Sequence, residues 1–184
     1  MTLTETPICN FGEKAKNFNL LSTENRKVSL NNVKGENGTL IMFICNHCPY
    51  VKAIIKDVVQ DVKYLETLGI KSTAIMSNDV KNYPDDSFEN MISFSKFHAF
   101  SFPYVIDDTQ EVAKEYGAVC TPDFFGYNKK LELQYRGRIR ELKNLKPVRK
   151  GDSDLRIAME QISASGKGPK KQIPSMGCNI KWFK

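Results

Sequence analysis

The chain has 184 residues and five cysteines, and a domain of this size does not need disulfide bonds in order to fold. Its formal net charge is +6, but the basic residues are scattered along the chain, so we expect no nucleic-acid partner. The sequence has neither the ~18 apolar residues of a membrane span nor a secretory signal pattern. We therefore expect no membrane partner and a cytoplasmic location, where thiols stay reduced.

The first third of the chain predicts a hairpin followed by a buried strand. Two short runs, FNLLS at 18–22 and KVSL at 27–30, flank a polar turn and predict a β-hairpin. After a loop, TLIMFI at 39–44 is apolar throughout, as in a strand that is buried on both faces. This strand leads directly into Cys45, the first residue of the motif CNHCPYVK.

A helix and a second strand follow this motif. Between Cys48 and Leu68 apolar residues recur every three or four positions, which predicts an amphipathic helix that Gly69 ends. GIKSTAIMS at 69–77 predicts another strand. A strand, a helix and a strand with short connections predict a right-handed parallel crossover.

Two further helices are predicted in the middle of the chain. Asp86, with Glu89 three residues later, resembles a capping box and is expected to open a helix that continues to Phe97. A short extended piece at 103–107 precedes the second helix, predicted over Thr109–Tyr116.

The last third of the chain predicts a hairpin, a helix and a docking segment. DFFGY at 123–127 and LELQYRG at 131–137 predict a β-hairpin, and apolar spacing predicts a helix over Asp154–Ile162. We expect residues 1–164 to form the main domain. Residues 165–184 read as a linker rich in Gly, Pro and Lys, whose apolar end docks on the domain or on a second subunit.

Two cysteines at a spacing of three are typical of a redox or metal site in a cytosolic protein. Cys45 and Cys48 fall where a buried strand meets a helix N-terminus, which lowers a thiol pKa. We expect Cys45 to cap the helix with an exposed sulfur and to act as the nucleophile, and Cys48 to resolve the mixed disulfide. His47 is expected to stabilise the thiolate and set the redox potential; the alternative is a half-exposed histidine without that role.

Thr121-Pro122, directly before a predicted strand, is the second candidate feature. A cis bond there would expose the backbone of Thr121 for strand-like pairing with a substrate peptide. Both residues are therefore candidate substrate-binding residues. The general frequency of X-Pro bonds by itself favours the trans form.

These motifs together resemble the thioredoxin fold. FICNHC at a strand-helix junction, the strand after it, and Thr-Pro before a hairpin and a final helix carry the resemblance. The N-terminal hairpin followed by TLIMF is similar to the redoxin branch, which holds alkyl hydroperoxide reductases and thiol-specific antioxidants. CNHCPYVK, SNDVKNYPDDSFENM and PSMGCNIKWF resemble one subgroup of that branch, the thioredoxin-family or peroxiredoxin-like proteins.

The resemblance implies a fold, a bond geometry and three site residues. The fold is α/β, with a central mixed sheet that is flanked by helices and carries an N-terminal β-hairpin extension. The bond before Pro122 is implied to be cis. Cys45 matches the thioredoxin nucleophile, Cys48 its resolving thiol and Pro122 the substrate-facing proline.

At the site the chain differs both from thioredoxins and from typical peroxiredoxins. TLIMFI lacks the acidic residue that takes a proton from the resolving thiol in thioredoxins. Typical peroxiredoxins have a threonine where this chain has Cys45, and their partner arginine has only candidates here, at Arg136, Arg138 and Arg140. Because those groups polarise the peroxide in the transition state, their loss favours disulfide exchange over peroxide reduction.

A peroxidase is nonetheless the alternative function. The same alignment makes Cys48, with Pro49 after it, the equivalent of the peroxidatic cysteine of peroxiredoxins. The sequence therefore leaves open whether the working sulfur belongs to Cys45 or to Cys48.

The other thiols and two minor functions complete the sequence-based hypotheses. Cys120 is expected to pack as a small hydrophobe, with a third redox thiol as the alternative. Cys178 is a candidate additional resolving thiol or intermolecular link, and Cys9 is expected to be incidental. A zinc site would need ligands beyond the CxxC motif and His47, so we expect no metal, and a non-catalytic binding module is the other minor alternative.

We therefore predict a thiol-disulfide oxidoreductase that uses a CxxC dithiol. It needs no cofactor, because the protein sulfurs carry both electrons. Its partner is expected to be a dithiol or disulfide protein that donates or accepts electrons.

Overall fold

A seven-stranded mixed sheet forms the centre of the computed structural model, which describes residues 3–7 and 9–184. In chain order the elements are β1 (Leu3–Glu5), β2 (Asn19–Ser22), β3 (Lys27–Ser29), α1 (Leu30–Val33), β4 (Gly38–Phe43), α2 (Pro49–Thr67), β5 (Ile70–Met76), α3 (Phe88–Phe97), β6 (Tyr104–Ile106), α4 (Glu111–Tyr116), β7 (Cys120–Thr121), β8 (Asp123–Asn128), β9 (Leu133–Arg136), β10 (Leu142–Lys143), β11 (Lys146–Pro147), α5 (Asp154–Ser165) and β12 (Met176–Asn179). A 3-10 turn at Pro84–Asp86 precedes α3.

The strands of this sheet lie in the order β3-β2-β6-β5-β4-β8-β9. β4, β5 and β6 are parallel neighbours, whereas β2, β3, β8 and β9 join by antiparallel pairing. The predicted hairpins are β2-β3 and β8-β9, and the predicted crossover is β4-α2-β5. The expected fold, a mixed sheet flanked by helices with an N-terminal hairpin, is confirmed.

β4 is buried along its whole length because helices cover both faces of the sheet. Alternate side chains of a strand point to opposite faces. Leu40 and Met42 belong to the apolar cluster that contains the inner faces of α2 and α5. Ile41 and Phe43 belong to the cluster that contains α1 and α4. The continuous apolar run therefore reflects a strand in the middle of a two-sided core.

The predicted start of α3 at Asp86 is wrong by one residue, and the difference matters for the site. Ser87 is the N-cap of α3, and its hydroxyl accepts a hydrogen bond from the Asn90 amide at 3.3 Å. Asp86 ends the preceding 3-10 turn and is fully buried. Its carboxylate is therefore available to accept hydrogen bonds from the loop that carries the cysteines.

The C-terminal segment forms a strand that the sequence pattern did not predict. β12 lies between β1 and β7 in a separate three-stranded antiparallel sheet. Beyond it, the carbonyl of Lys181 accepts hydrogen bonds from the Asp79 amide and the Gln110 side chain. The division of the chain at residue 164 stays a prediction. None of the described helices combines the length and the apolar character needed to cross a membrane.

Candidate active site

Cys48, and not Cys45, is the N-cap of α2. Pro49 occupies the first helical position, where its missing N-H is not needed. A residue before proline avoids the helical conformation, and Cys48 accordingly has extended backbone angles. The expectation that Cys45 caps the helix with an exposed sulfur is therefore wrong. Both residues are buried, Cys45 to 1% and Cys48 to 0% residual exposure.

The sulfur of Cys48 is surrounded by hydrogen-bond donors. The Cys45 thiol, the Val51 amide, and both the amide and the thiol of Cys178 stabilise its thiolate. These donors outweigh the effect of burial and lower the pKa of Cys48 to about 5. The carbonyl oxygen of Thr121 lies 3.2 Å from the sulfur and accepts a hydrogen bond only from the protonated form. Cys48 is thus the stronger acid of the pair.

Cys45 has the opposite environment. Its hydrogen bond to Cys48, its burial and the nearby charge of Asp86 raise its pKa well above the ordinary value. The hydroxyl oxygen of Thr121 lies 3.3 Å from its sulfur. Cys45 therefore stays protonated while Cys48 is ionised.

His47 is held by Asp86, a residue that the sequence interpretation had assigned only to a helix cap. Its Nδ1 lies 2.6 Å from Asp86 Oδ2, and its ring stacks on Tyr83 with centroids 5.9 Å apart. The hydrogen bond to Asp86 raises the pKa of His47 against the effect of its partial burial. The Asp86 carboxylate offsets the positive charge of a protonated His47. The low pKa of Cys48 therefore comes from the hydrogen-bond donors around its sulfur more directly than from His47.

Asp86 organises the whole loop before α2. Its Oδ1 accepts hydrogen bonds from the amides of Asn46 at 2.8 Å and His47 at 3.2 Å, and its Oδ2 accepts one from Asn78 at 2.8 Å. Burial acts to raise the pKa of Asp86, but the hydrogen bonds from His47 and Asn78 outweigh it and lower the pKa. The one sequence signal for this role was an acidic residue in the loop after β5, at the carboxyl edge of the sheet where Cys45 also lies.

Three metal-ligand types meet at the same place. Ligand atoms of Cys45, His47 and Asp86 all lie within 4.8 Å of one another. Both Asp86 oxygens already accept hydrogen bonds, which leaves the carboxylate satisfied without a cation. The hydrogen bonds to Asp86 therefore account for how these three side chains are held together.

The bond between Thr121 and Pro122 is cis, as the resemblance implied. The expected free edge beside it is not present, because β12 pairs with β7 and places Cys178 opposite Thr121. Ser175 also donates a hydrogen bond to the Pro122 carbonyl at 2.7 Å. The backbone that was expected to receive a substrate peptide is thus occupied by the chain itself.

Comparisons with known proteins place the chain in a family. A sequence model of the AhpC/TSA family matches residues 11–142, which run from before the N-terminal hairpin to the start of β10. The chain belongs to the AhpC/TSA family. No curated protein matches it.

Two solved structures resemble this AhpC/TSA protein over nearly its whole length. An uncharacterized conserved protein from Geobacillus kaustophilus is 38% identical with a TM-score of 0.94, and the match covers 100% of this chain and 97% of that one. A hypothetical protein from Sinorhizobium meliloti 1021 is 33% identical with a TM-score of 0.90, and the match covers 98% of each chain.

A more distant structure shares the fold. The thioredoxin domain of a thiol-disulfide oxidoreductase from Bacteroides vulgatus is 16% identical with a TM-score of 0.60, over 74% of this chain and 91% of that one. The AhpC/TSA match and this fold confirm the resemblance to the redoxin branch of the thioredoxin-like proteins. They support a thioredoxin-like redox function and a redox enzyme activity in general.

The three candidate arginines of this AhpC/TSA protein are each paired with a carboxylate. Arg136 lies 2.9 Å from Asp123, Arg138 lies 2.8 Å from Asp154, and Arg140 lies 3.1 Å from Asp57. No described hydrogen bond joins any of them to Cys48. Arg138 and Arg140 do line the cavity beside Pro122, but their described partners are carboxylates.

The remaining cysteines, Cys120 and Cys9, both have raised pKa values. Cys120 is buried with its sulfur 3.5 Å from the Pro122 carbonyl oxygen, and burial raises its pKa. It neighbours Thr121 in β7, so its side chain points to the opposite face of the strand. Cys9 is half-buried at the other end of the chain, and burial raises its pKa as well.

A cavity of about 160 Å³, with mostly apolar walls that also include Arg138 and Arg140, lies beside the cis-proline. Its walls include Tyr50 and Ile54 from the start of α2, Pro122, and Ile173 and Met176 from the C-terminal segment. The cavity therefore lies between the helix that carries Cys48 and the segment that carries Cys178.

Proposed function

We propose that this protein is a thiol-disulfide oxidoreductase in which Cys48 is the nucleophile and Cys45 the resolving thiol. The observation that carries the proposal is the set of donors that converge on the Cys48 sulfur at the N-terminus of α2. The thiolate is the reactive form of a cysteine. The roles are thus exchanged relative to those expected from the sequence, because Pro49 makes Cys48 the cap.

The reaction has two steps that balance in atoms and electrons. The Cys48 thiolate attacks one sulfur of a substrate disulfide, which forms a mixed disulfide and releases one substrate thiolate. Cys45, after losing its proton, attacks the Cys48 sulfur, which forms the Cys45–Cys48 disulfide and releases the second substrate thiolate. The two protein thiols have then supplied both electrons to the substrate. A dithiol protein of the cytoplasm is the partner that we propose for regenerating them.

We propose that His47, in its neutral form, takes the proton of Cys45 through a bridging water. A ring nitrogen of His47 lies within 4.8 Å of the Cys45 sulfur, and Asp86 fixes the ring and stabilises its charged form. This pair would supply the proton acceptor that β4, which has no acidic residue, cannot provide. His47 is therefore proposed to act in the second step.

Disulfide exchange suits the site better than peroxide reduction does. A peroxidase needs donors that polarise the O-O bond as the thiolate attacks, and removing one such donor typically costs ~10²-fold or more in rate. Here a thiol, Cys45, stands where typical peroxiredoxins have a hydroxyl, and the nearby arginines are paired with carboxylates. The low pKa of Cys48 by itself would serve either reaction.

The test compares a small disulfide with a peroxide as oxidant. Reduced protein is mixed with glutathione disulfide or with hydrogen peroxide, and thiol loss and dithiothreitol-driven turnover are followed for the wild type, Cys48→Ser, Cys45→Ser and the control Cys9→Ser. We expect reaction with the disulfide in the wild type and in Cys9→Ser, a first step that persists in Cys45→Ser, and no reaction in Cys48→Ser. Faster consumption of peroxide than of disulfide would contradict the proposal, and so would a disulfide reaction that survives Cys48→Ser but is lost in Cys45→Ser.

A further inference from the structure

The C-terminal strand β12 lies where a substrate peptide would pair with β7, the strand directly before the cis-proline Pro122. β12 pairs antiparallel with β7, and its register places Cys178 opposite Thr121 and Asn179 opposite Cys120. Strand addition beside a redox site is a common way of holding a peptide. Here the held peptide is the segment from Ser175 to Asn179.

The backbone of this segment is pressed closely against the cis-proline. A Cβ atom on Gly177 would clash with the Thr121 carbonyl oxygen and would lie 3.0 Å from Cδ of Pro122. Only glycine fits at this distance without movement of one of the two strands. Gly177 therefore sets how near its neighbour, Cys178, comes to the dithiol.

Cys178 reaches the sulfur of Cys48. Its thiol and its amide both hydrogen-bond to Cys48, and it is 3% exposed within the same apolar cluster as Cys45 and Cys48. Because Cys178 lies directly opposite Thr121 in the β12–β7 pair, the two side chains are on the same face of these strands. Cys178 thus occupies the place that the reactive cysteine of a docked substrate peptide would take.

We propose that Cys178 is a second resolving thiol, and that the C-terminal strand acts as an internal substrate which takes the disulfide over from Cys48. This inference rests on the proposed function of Cys48 as the nucleophile. It adds a third sulfur to the reaction and gives the terminal strand a role in it.

The step is a thiol-disulfide exchange at the mixed disulfide. The Cys178 sulfur attacks the Cys48 sulfur, a Cys48–Cys178 bond forms, and the bond between Cys48 and the substrate sulfur breaks. The proton of Cys178 passes to the departing substrate thiolate. Both electrons again come from two protein thiols, and the same dithiol partner reduces the new disulfide.

The test removes Cys45, so that only Cys178 can resolve Cys48. Three reduced variants are treated with excess glutathione disulfide: Cys45→Ser, Cys45→Ser/Cys178→Ser, and the matched control Cys45→Ser/Cys120→Ser. Intact mass and linked peptides are then measured after blocking free thiols. We expect a Cys48–Cys178 disulfide in the first and third variants, and a persistent glutathione adduct on Cys48 in the second.

The outcomes separate this inference from the proposed function. A lasting adduct on Cys48 in Cys45→Ser, equal to that in Cys45→Ser/Cys178→Ser, would overturn the inference and leave Cys48 as the nucleophile. Neither an adduct nor a disulfide at Cys48 in any variant would overturn the proposed function itself. A disulfide to Cys120 in place of Cys178 would also overturn the inference.

A second variant tests the position of the strand with every thiol kept except Cys45. Gly177→Ala is made in the Cys45→Ser background, with the exposed neighbour Met176→Ala as the matched control. We expect resolution of the glutathione adduct to slow by about tenfold or more in Gly177→Ala, because the attacking thiol loses its alignment. Equal resolution rates in the two variants, with equal far-UV circular dichroism, would contradict the proposed docking role of Gly177.

Discussion

Pro49 holds the residue before it in an extended conformation, so the charge-stabilising end of α2 falls on Cys48. The side chains that complete the site come from distant parts of the chain. Thr121 contacts both sulfurs, Cys178 contacts one of them, and Asp86 holds the loop between them. The difference in acidity between two neighbouring cysteines is therefore a property of these contacts.

The first prediction concerns the acidity of Cys48. We expect ultraviolet thiolate absorbance assigned to Cys48, as the difference between the wild type and Cys48→Ser, to rise with a midpoint near the pKa of about 5. Cys45→Ala removes a donor to the thiolate, which is worth roughly 1.5–3 kcal/mol, so the midpoint should move up by about one to two pH units. Cys120→Ser is the control and should leave it unchanged. A wild-type midpoint at the ordinary thiol pKa of ~8.5 would contradict the assignment.

The second prediction concerns the pair of His47 and Asp86. Asp86→Asn removes the carboxylate that raises the pKa of His47, so this pKa should fall to or below the ordinary ~6.5. Ring NMR resonances of the chain's two histidines measure it, and His98, whose pKa burial lowers, serves as the internal control.

The sign of the stability effect follows from the raised pKa. A histidine with a raised folded pKa contributes stability that is fully present below ~6.5 and is lost as the pH rises through the folded value. The destabilisation by Asp86→Asn should thus be larger at pH 6 than at pH 9. An unchanged His47 resonance midpoint would show that Asp86 does not govern its ionisation.

At the scale of elements, the residue that caps a helix determines which neighbouring polar side chains are left to form hydrogen bonds in the site. Because Ser87 caps α3, Asp86 turns toward the loop before α2. The cap of α5 has a second partner: the Ser153 hydroxyl accepts from the Arg156 amide at 2.9 Å and donates to buried Asp61 at 2.5 Å. One serine therefore joins α5 to α2.

The third prediction compares these two caps. Ser87→Ala should lower the free energy of unfolding by ~1 kcal/mol, the typical value for the loss of an N-cap. Ser153→Ala removes a cap and also leaves a buried carboxylate without its hydroxyl partner, so it should cost roughly 2–4 kcal/mol. Urea unfolding of both variants at the same pH measures the difference. Equal costs would mean that the hydrogen bond to Asp61 contributes nothing to stability.

At the scale of the whole molecule, the C-terminal segment ties together elements from both halves of the chain. β12 joins β1 to β7, and the segment after it binds the loop that follows β5 and the start of α4. Trp182, the only tryptophan, lies in that segment with the Lys114 ammonium 5.8 Å from its ring centre. Its fluorescence therefore reports on docking of the C-terminus.

The fourth prediction is that this segment unfolds together with the rest of the protein. We expect the urea transitions of Trp182 fluorescence and of far-UV circular dichroism to coincide. The buried side chain of Gln110 donates a hydrogen bond to the Lys181 carbonyl and accepts one from the Phe183 amide, at 2.8 Å each. Because Gln110→Ala removes both hydrogen bonds, it should shift the fluorescence transition to lower urea. A separate early fluorescence transition in the wild type would show that the segment docks only weakly.

Much of the fold and the position of the dithiol could be predicted from sequence. The apolar run of β4 and the periodicity of α2 are local patterns, and they placed Cys45 and Cys48 at the junction of a strand and a helix. The cis bond before Pro122 came from the resemblance. β12 was not predicted as a strand, because its short sequence MGCN has little strand pattern and its partners are β1 and β7.

The sequence by itself determined the order of the main elements, the redox chemistry available to a CxxC pair, and the resemblance to the redoxin branch. Only the tertiary structure decided that Cys48 is the acidic thiol, that Asp86 holds His47, and that Cys178 reaches the dithiol. The physical reason is the range of the interactions. Periodicity and capping act within a few residues, whereas the groups that set the charge of a buried sulfur meet only when distant segments pack together.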